Sequence, residues 1–285
     1  MRLPFIFARR FVAAESVEET LPVAAALNKK GLHVTLDPLG EYISDRGLAE
    51  RARDSYIGIV KSIAGSDRDI DRNISIKLSM LGQKIDESFC RDNLYQLLDV
   101  ARQTNTFIRL DMEGSDVIES TISLFESVHS EYPESVGIVL QAYMKRTKDD
   151  IQRMRELNAR VRLCKGAYKE PAAIAHQNMS VIRDRFCEYM ELLLAKAHYP
   201  AIATHDNILI DQTKAYVQAN RIDPSRFEFQ MLFGIRPDTQ VAISKEGFNM
   251  RIYIPFGSMW LPYFSRRIRE RKENVFFVLK HLIRK

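Results

Sequence analysis

Eight short apolar or β-branched runs recur along this 285-residue chain, and a stretch with helical periodicity follows each of them. The runs cover residues 33–40, 74–80, 107–114, 136–143, 161–168, 201–207, 227–234 and 248–257. Near-continuous apolar runs of this length predict strands that are buried on both faces, as in a parallel sheet. Eight alternations of strand and helix predict an α/β fold, a single (β/α)8 TIM-like barrel domain over 1–285. An open doubly wound sheet is the alternative, although no Gly-x-Gly-x-x-Gly motif follows any of the runs.

Composition narrows the class of protein. The chain is 46% hydrophobic and 28% charged, which is typical of a globular domain with a full core. The net charge of +5 is spread along the chain, so nucleic-acid binding gains little support. Three unpatterned cysteines indicate neither a disulfide framework nor a zinc site and favour a cytoplasmic location. No apolar run reaches about 18 residues, so we expect no transmembrane helix, and the short apolar stretch at the start is not expected to be a signal peptide.

Polar residues stand at the ends of almost all the predicted strands. They are Lys77, Asp111, Gln141, Arg162, Lys165, Thr204, His205 and Tyr253. Taken singly, Lys77 could be a surface lysine, Asp111 a helix cap and His205 a hydrogen-bonded core residue. Taken together, they would meet at the carboxyl mouth of a barrel. Burying an unpaired charge there would cost on the order of several kcal/mol per ion. The set therefore predicts a polar or charged ligand at the mouth.

The residue types limit the chemistry of that site. Histidine and carboxylate clusters are too sparse for a metal centre, and no Gly-x-Ser-x-Gly nucleophile elbow is present. In "CKGAY", Gly166 and Ala167 allow close approach to the backbone, while Lys165 and Arg162 supply positive charge. We interpret this as a site for a bulky anionic cofactor.

The segment "LPYFSRRIRE" at 261–270 raises a separate question. On a helix, Tyr263, Arg266, Arg267 and Glu270 would share one face within about 100° of arc. From the residues alone, this face is either an ordinary solvated surface or an anion-binding one.

The motifs "RLDMEG", "LQAY", "VRLCKGAY", "ATHD", "FEFQMLFG", "RIYIPFG" and "LPYFSRRIRE", in this order, resemble the proline dehydrogenase family, in particular its compact monofunctional bacterial members. The resemblance implies a distorted barrel with FAD on its carboxyl face and the last helix over the mouth. It implies that Asp111 and Arg162 are catalytic. It assigns the proline pocket to Lys77, Tyr253, Tyr263, Arg266 and Arg267. It assigns FAD contacts to Met112, Gln141, Arg162, Lys165, Gly166, Ala167, Thr204, His205 and Glu270.

The reaction implied by the resemblance is hydride transfer from C5 of L-proline to flavin N5, which gives Δ1-pyrroline-5-carboxylate, the first step of proline catabolism to glutamate. A membrane quinone is the expected electron acceptor. The basic, apolar tail at 276–285 either ends a helix or touches the inner face of an anionic membrane. Oligomeric state is left open.

Three features depart from the family pattern. Lys169 replaces an aromatic residue of some relatives, residues 170–178 lack a plain basic anchor for the FAD tail, and Asp206 stands where Asn is common. Two other functions compete with proline oxidation. One is a Schiff-base lyase on the same barrel with Lys77 or Lys165 as nucleophile, and the other is a catalytically silent barrel that only binds a metabolite.

Overall fold

The structure, a computed structural model, describes residues 5–40 and 43–270. The strands are β1 (His33–Pro38), β2 (Asn73–Ile76), β3 (Phe107–Leu110), β4 (Val136–Gln141), β5 (Arg160–Cys164), β6 (Ala201–Ala203), β7 (Glu228–Leu232) and β8 (Asn249–Phe256). The helices are α1 (Val17–Asn28), α2 (Arg46–Ala64), α3 (Glu87–Gln103), α4 (Ile118–His129), α5 (Thr147–Glu156), α6 (Met179–Lys196), α7 (Asn207–Ala219), α8 (Pro237–Lys245) and α9 (Trp260–Glu270).

The eight strands close into a parallel barrel in chain order. The closing contact joins β1 to β8 in parallel from the His33–Arg251 pair to the Pro38–Phe256 pair. Strands β2, β3 and β4 are buried along their whole length, as expected for strands with a packed lumen on one side and helices on the other. The (β/α)8 prediction is therefore confirmed, and the open doubly wound sheet is wrong.

Helix positions follow from caps and apolar spacing. The side chain of Asp45 accepts a hydrogen bond from Leu48 N–H at the start of α2, and Asp86 accepts one from Phe89 N–H at the start of α3. Helix α3 buries Cys90, Asn93, Leu94, Leu97, Leu98 and Ala101. This spacing of three and four residues presents one stripe of the helix to the barrel wall.

The strands end earlier than the sequence predicts. The run 74–80 leaves the sheet after Ile76 and turns into a 3-10 helix at Leu78–Leu81, while the runs 161–168 and 201–207 end at Cys164 and Ala203. The apolar run alone does not mark this point, because chain entering the loops stays partly buried around the mouth. As a result, Lys77, Asp111, Lys165 and Thr204 directly follow strands instead of lying inside them.

The two chain ends within the described residues meet beside the mouth. Trp260, Tyr263 and Phe264 of α9 form a hydrophobic cluster with side chains near the carboxyl ends of β1 and β7 and in the segment before α1. These are Leu39, Leu232, Ile235, Phe5, Phe7, Ala8, Phe11 and Val12. The indole N–H of Trp260 also donates to Glu15 at 3.1 Å. Helix α9 therefore lies on the mouth, as predicted. The helix α1 and the packed segment before it have no counterpart among the predicted elements.

None of the helices in the described part of the chain is long and apolar enough to cross a membrane. The tail at 276–285, singled out for membrane contact, lies outside the described residues.

Candidate active site

A largely buried acid–arginine pair, here called the mouth pair, joins Asp111 after β3 to Arg162 of β5. Arg162 Nη1 donates to Asp111 Oδ1 at 2.7 Å, and Nη2 donates to Ser75 Oγ at 2.9 Å. The hydroxyl of Tyr253 donates to the second carboxylate oxygen of Asp111 at 2.7 Å, and the Arg162 guanidinium lies 5.2 Å from the Tyr253 ring centroid. Asp111 thus fixes side chains from β5 and β8. It does not cap a helix.

Lys77 forms a second buried ion pair beside the mouth pair. Its Nζ donates to Asp37 Oδ1 at 2.8 Å, and the Asp37 side chain is only 2% exposed. Burial alone would lower the pKa of Lys77, but the charges of Asp37 and Asp111 outweigh burial and raise its pKa. Lys77 is therefore a fixed cation and does not lie on the surface.

Two ionisable groups at the mouth, the Asp111 carboxyl and the Tyr253 phenol, have raised pKa values. Burial raises the pKa of Asp111, and Arg162 and Lys77 only partly oppose this because Asp37 adds repulsion. Burial and the neighbouring Asp111 raise the pKa of Tyr253 well above its usual value. Such perturbed groups in one place are typical of a functional site.

The side of the mouth formed by β4 and β5 presents groups that suit a flavin nucleotide. Within residues 5–40 and 43–270, the buried atoms Arg162 Nε and Gln141 Oε1 have no hydrogen-bond partner. Gly166 has φ of +110°, and a Cβ there would lie 2.2 Å from the Tyr143 ring. The unpaired amide oxygen and guanidinium N–H match the polar edge of a flavin ring, and the nearby Lys165 matches a diphosphate. The residues therefore fit FAD.

His205 and Thr204 follow β6 on the same side. The Leu232 N–H donates to His205 Nε2 at 2.9 Å, which requires the tautomer that carries its proton on Nδ1. Thr204 is 5% exposed, and its hydroxyl accepts a hydrogen bond from Asp206 N–H at 3.1 Å. Both residues are therefore held in place by the backbone around the mouth.

Helix α9 adds two further cations. Tyr263 is buried, Arg267 is half-buried and Arg266 is exposed. The guanidinium carbon of Arg267 lies 5.2 Å from the Tyr263 ring centroid, and that of Arg266 lies 6.0 Å from it. Burial raises the pKa of Tyr168 to about 12, with smaller effects from Glu113, Lys77, Asp111 and Arg266. Tyr168 follows β5 and is within electrostatic reach of both Lys77 and Arg266. Arg266 is therefore near enough to Tyr168 for its charge to favour ionisation of that phenol.

Comparison with known proteins agrees with this geometry. The family model "Proline dehydrogenase" matches residues 20–280. Proline dehydrogenase 1 of Bacillus subtilis (strain 168) is 39% identical over 278 residues, which is 98% of this chain and 91% of that protein. The chain belongs to the proline dehydrogenase family.

Two further members extend the comparison. The proline dehydrogenase of Deinococcus radiodurans is 36% identical over 281 residues, covering 97% of this chain and 90% of its own. The crystal structure of proline utilization A from Bdellovibrio bacteriovorus, inactivated by N-propargylglycine, superposes with a TM-score of 0.86 at 25% identity. It covers 92% of this chain, which spans only 32% of that longer protein. This enzyme of the proline dehydrogenase family thus has the barrel of its relatives.

The residues assigned from the family resemblance lie around one mouth where the structure describes them. The side chain of Glu270, predicted to support the cofactor and the arginine pair, lies outside the described residues. Met112 is buried, and its carbonyl lies 3.5 Å from the Gln141 amide nitrogen, while Ala167 is exposed after Gly166. Their roles at the site stay predictions.

Sequence reasoning missed several residues of the mouth. Asp37 and Tyr168 end or follow predicted strands in the same way as the residues that were chosen, and this signal could have found them. Glu113 accepts from Ser79 N–H and Oγ at 3.2 and 2.8 Å. Arg183 of α6 also reaches the site by binding Asp206, and no pattern in the sequence indicates that contact.

Proposed function

We propose that the protein oxidises L-proline to Δ1-pyrroline-5-carboxylate with FAD, in the first step of proline catabolism to glutamate. The observation that carries the proposal is the hydrogen-bonded, largely buried set of Lys77, Asp111, Arg162 and Tyr253 at the mouth, with α9 packed on the carboxyl ends of β1 and β7. Membership of the proline dehydrogenase family supports the substrate and the cofactor.

The substrate carboxylate is assigned to the cations around the mouth. Arg266 and Arg267 stand together on α9, and guanidinium forks suit a carboxylate because each presents paired N–H donors. Lys77 stays protonated next to Asp37 and adds a third cation from below. Tyr263 and Tyr253 supply flat apolar surface for the ring carbons of proline.

The same cations affect the protonation of the substrate amine. Proline must present a neutral nitrogen before a hydride can leave C5. Burial next to Lys77 and Arg162 disfavours a positively charged nitrogen, since like charges repel and desolvation opposes any ion. In this proposal Asp111 keeps Arg162 and Tyr253 in position.

FAD, when bound, would supply the hydride acceptor. Gln141 and Arg162 would hold its flavin edge with the unpaired atoms described above. Lys165, Gly166, Ala167, Thr204 and His205 would hold its phosphates and ribose, with support from Met112 and Glu270. Arg162 would place positive charge where negative charge develops during the reaction.

The competing Schiff-base mechanism has less support. A nucleophilic lysine needs a lowered pKa, whereas Asp37 and Asp111 raise the pKa of Lys77. The ammonium of Lys165 is bound to Asp206 at 3.0 Å. Neither lysine is prepared to attack a carbonyl group.

Onward transfer of electrons to a membrane quinone belongs to the same proposal and is supported by the family alone. The protein would work in the cytoplasm and meet the membrane only at its surface. A soluble short-chain quinone that supports turnover faster than oxygen would agree with this acceptor, and no rate above the oxygen rate would contradict it.

The decisive experiment is the absorbance spectrum of the purified protein before and after anaerobic addition of L-proline. We expect a flavin spectrum that proline bleaches, and mass spectrometry should identify pyrroline-5-carboxylate. A protein that binds both flavin and proline without bleaching of the flavin would favour the catalytically silent barrel. A colourless protein that borohydride traps with a carbonyl substrate would favour the lyase.

A further inference from the structure

One carboxylate oxygen beside the mouth binds two cations from different elements. Asp206 Oδ2 accepts from Lys165 Nζ at 3.0 Å and from Arg183 Nε of α6 at 2.8 Å. The other oxygen, Oδ1, accepts from Ile208 N–H at 3.2 Å and caps α7. The Asp206 side chain is only 10% exposed. Arg183 is therefore held next to Lys165 by a nearly buried acid.

The contact leaves most of the donors of Arg183 available. A guanidinium has five N–H bonds, and Arg183 uses its Nε–H on Asp206. In the described part of the chain, its two terminal nitrogens have no acceptor within hydrogen-bond distance, and the side chain is 35% exposed. Lys165 is 28% exposed, and among the described residues its hydrogen-bond partner is Asp206. Both cations can keep Asp206 and still reach a ligand.

Charge at this point is not balanced. Burial alone would raise the pKa of Asp206, but the hydrogen bonds from Arg183 and Lys165 lower its pKa, so the group is an anion at neutral pH. One negative charge then faces two positive charges. The surplus suits an additional anion at the entrance to Gly166 and Thr204.

The proposed cofactor brings such an anion. The diphosphate of FAD carries two negative charges, whereas Lys165 supplies one positive charge. Residues 170–178, which follow the Lys165 loop, contain neither lysine nor arginine. Arg183 of α6 is a second cation that the fold holds beside Lys165, since both bind the same oxygen of Asp206.

We propose that Arg183 is a second diphosphate-binding cation of this protein, positioned beside Lys165 by Asp206. The inference rests on the proposed FAD-dependent function. The competing explanation is structural, with Arg183 serving only to tie α6 to the start of α7.

Titration of the flavin-free protein separates these two explanations. Binding of FAD and of riboflavin, which has no phosphate, is measured by flavin fluorescence for the wild type, Arg183→Met and Arg183→Lys. Arg185→Met is the matched control, because Arg185 lies on the same helix but binds Glu188. Melting temperatures of the flavin-free proteins show whether each variant is folded.

We expect Arg183→Met to weaken FAD binding about ten- to a hundredfold, the range for loss of one charge-assisted contact. Riboflavin affinity should change less than about twofold, as should FAD affinity in Arg185→Met. Arg183→Lys should bind FAD more tightly than Arg183→Met, and FAD affinity should fall less steeply with salt in Arg183→Met than in the wild type.

Unchanged FAD affinity in Arg183→Met would overturn the inference, and so would equal weakening of FAD and riboflavin, which is the structural result. If the wild-type protein binds no FAD, the proposed function fails with it. If wild-type flavin is bleached by proline while Arg183→Met retains full FAD affinity, the function stands and only the role of Arg183 is lost.

Discussion

Two buried acid–arginine pairs occupy opposite ends of the same barrel lumen and differ in the sign of their acid pKa shifts. At the amino-terminal foot, Arg251 Nε donates to both oxygens of Glu228 at 2.9 and 3.0 Å, and we call this the foot pair. Arginine and hydrogen bonding outweigh burial there and lower the pKa of Glu228 to about 2. In the mouth pair, burial prevails and raises the pKa of Asp111.

The difference comes from the neighbours of each acid. Glu228 also accepts a hydrogen bond from Gln230, and Arg109 adds positive charge nearby. Asp111 shares the mouth with the carboxylate of Asp37, so the two acids repel each other. Folding therefore favours the ionised form of Glu228 and disfavours the ionised form of Asp111. An ionisable group whose charged form is disfavoured by its surroundings is typical of a functional site.

The largest expected effect breaks the foot pair. Glu228→Gln leaves Arg251 buried with its weaker contacts to Val34 O and Asp71, and should lower the free energy of unfolding by about 3 kcal/mol. Urea unfolding measures this loss. Glu246→Gln is the surface control, since Glu246 is exposed and forms an ion pair with Lys214. A loss below about 1 kcal/mol would remove the structural role of the foot pair.

The crossed variant sharpens the same contrast. Asp111→Asn replaces an acid whose ionised form the fold disfavours, so it should cost less stability than Glu228→Gln. Proline oxidation should nevertheless fall about a hundredfold, since Arg162 and Tyr253 lose their common anchor. If Asp111→Asn unfolds more easily than Glu228→Gln while retaining activity, the assignment of the two pairs is reversed.

The pH dependence of stability should also have opposite signs at the two ends. Glu228 changes from an ordinary pKa of 4.5 to about 2 on folding, so its stabilisation is complete above pH 4.5 and is lost as the pH falls towards 2. The difference is on the order of 3 kcal/mol. Unfolding of wild type and Glu228→Gln at several pH values should therefore converge in acid. For Asp111, whose pKa is raised, the stability of the wild type relative to Asp111→Asn should decline as the pH rises above 3.8.

How much of this contrast the sequence could predict differs between the two ends. The eight runs predicted the closed barrel because parallel strands buried on both faces are nearly continuous in apolar residues. They also placed Lys77, Asp111, Arg162 and Tyr253 at one mouth, since the ends of parallel strands meet. Strand ends were less predictable, because the chain stays partly buried after it leaves the sheet.

The pairing itself was not accessible from local patterns. Glu228 and Arg251 stand inside the predicted strands, and a charged residue in an apolar run gives no sign of its partner on a neighbouring strand. The partners of Asp37 and Arg183 were missed for the same reason. The contacts of these two residues with Lys77 and Asp206 join residues about 40 and 23 positions apart, so only the closed fold brings them together.

The next prediction compares the mouth pair with an unburied charge at the same mouth. Arg266 is exposed, so Arg266→Ala should hardly change the free energy of unfolding. If Arg266 binds the proline carboxylate, the variant should weaken proline binding by about 1.5–3 kcal/mol, seen as a higher KM. Arg226→Ala, an exposed arginine just before β7 at the foot, is the control. An unchanged KM would exclude Arg266 from the pocket.

The smallest expected loss of stability comes from removing the hydrogen bond that the Tyr253 hydroxyl donates to Asp111. Tyr253→Phe should lower stability by only about 1 kcal/mol, the usual net value of one hydrogen bond. Because this bond favours ionised Asp111, its loss should raise the pKa of Asp111 further and move the acidic limb of the kcat/KM profile to higher pH. Tyr199→Phe is the matched change at the foot, where the hydroxyl accepts from Asn249 at 3.2 Å. It should lower stability to a similar extent and leave the limb in place. If the acidic limb moves equally in both variants, the shift does not report the pKa of Asp111. The proposed difference between the acids at the two ends would then have no support from the activity profile.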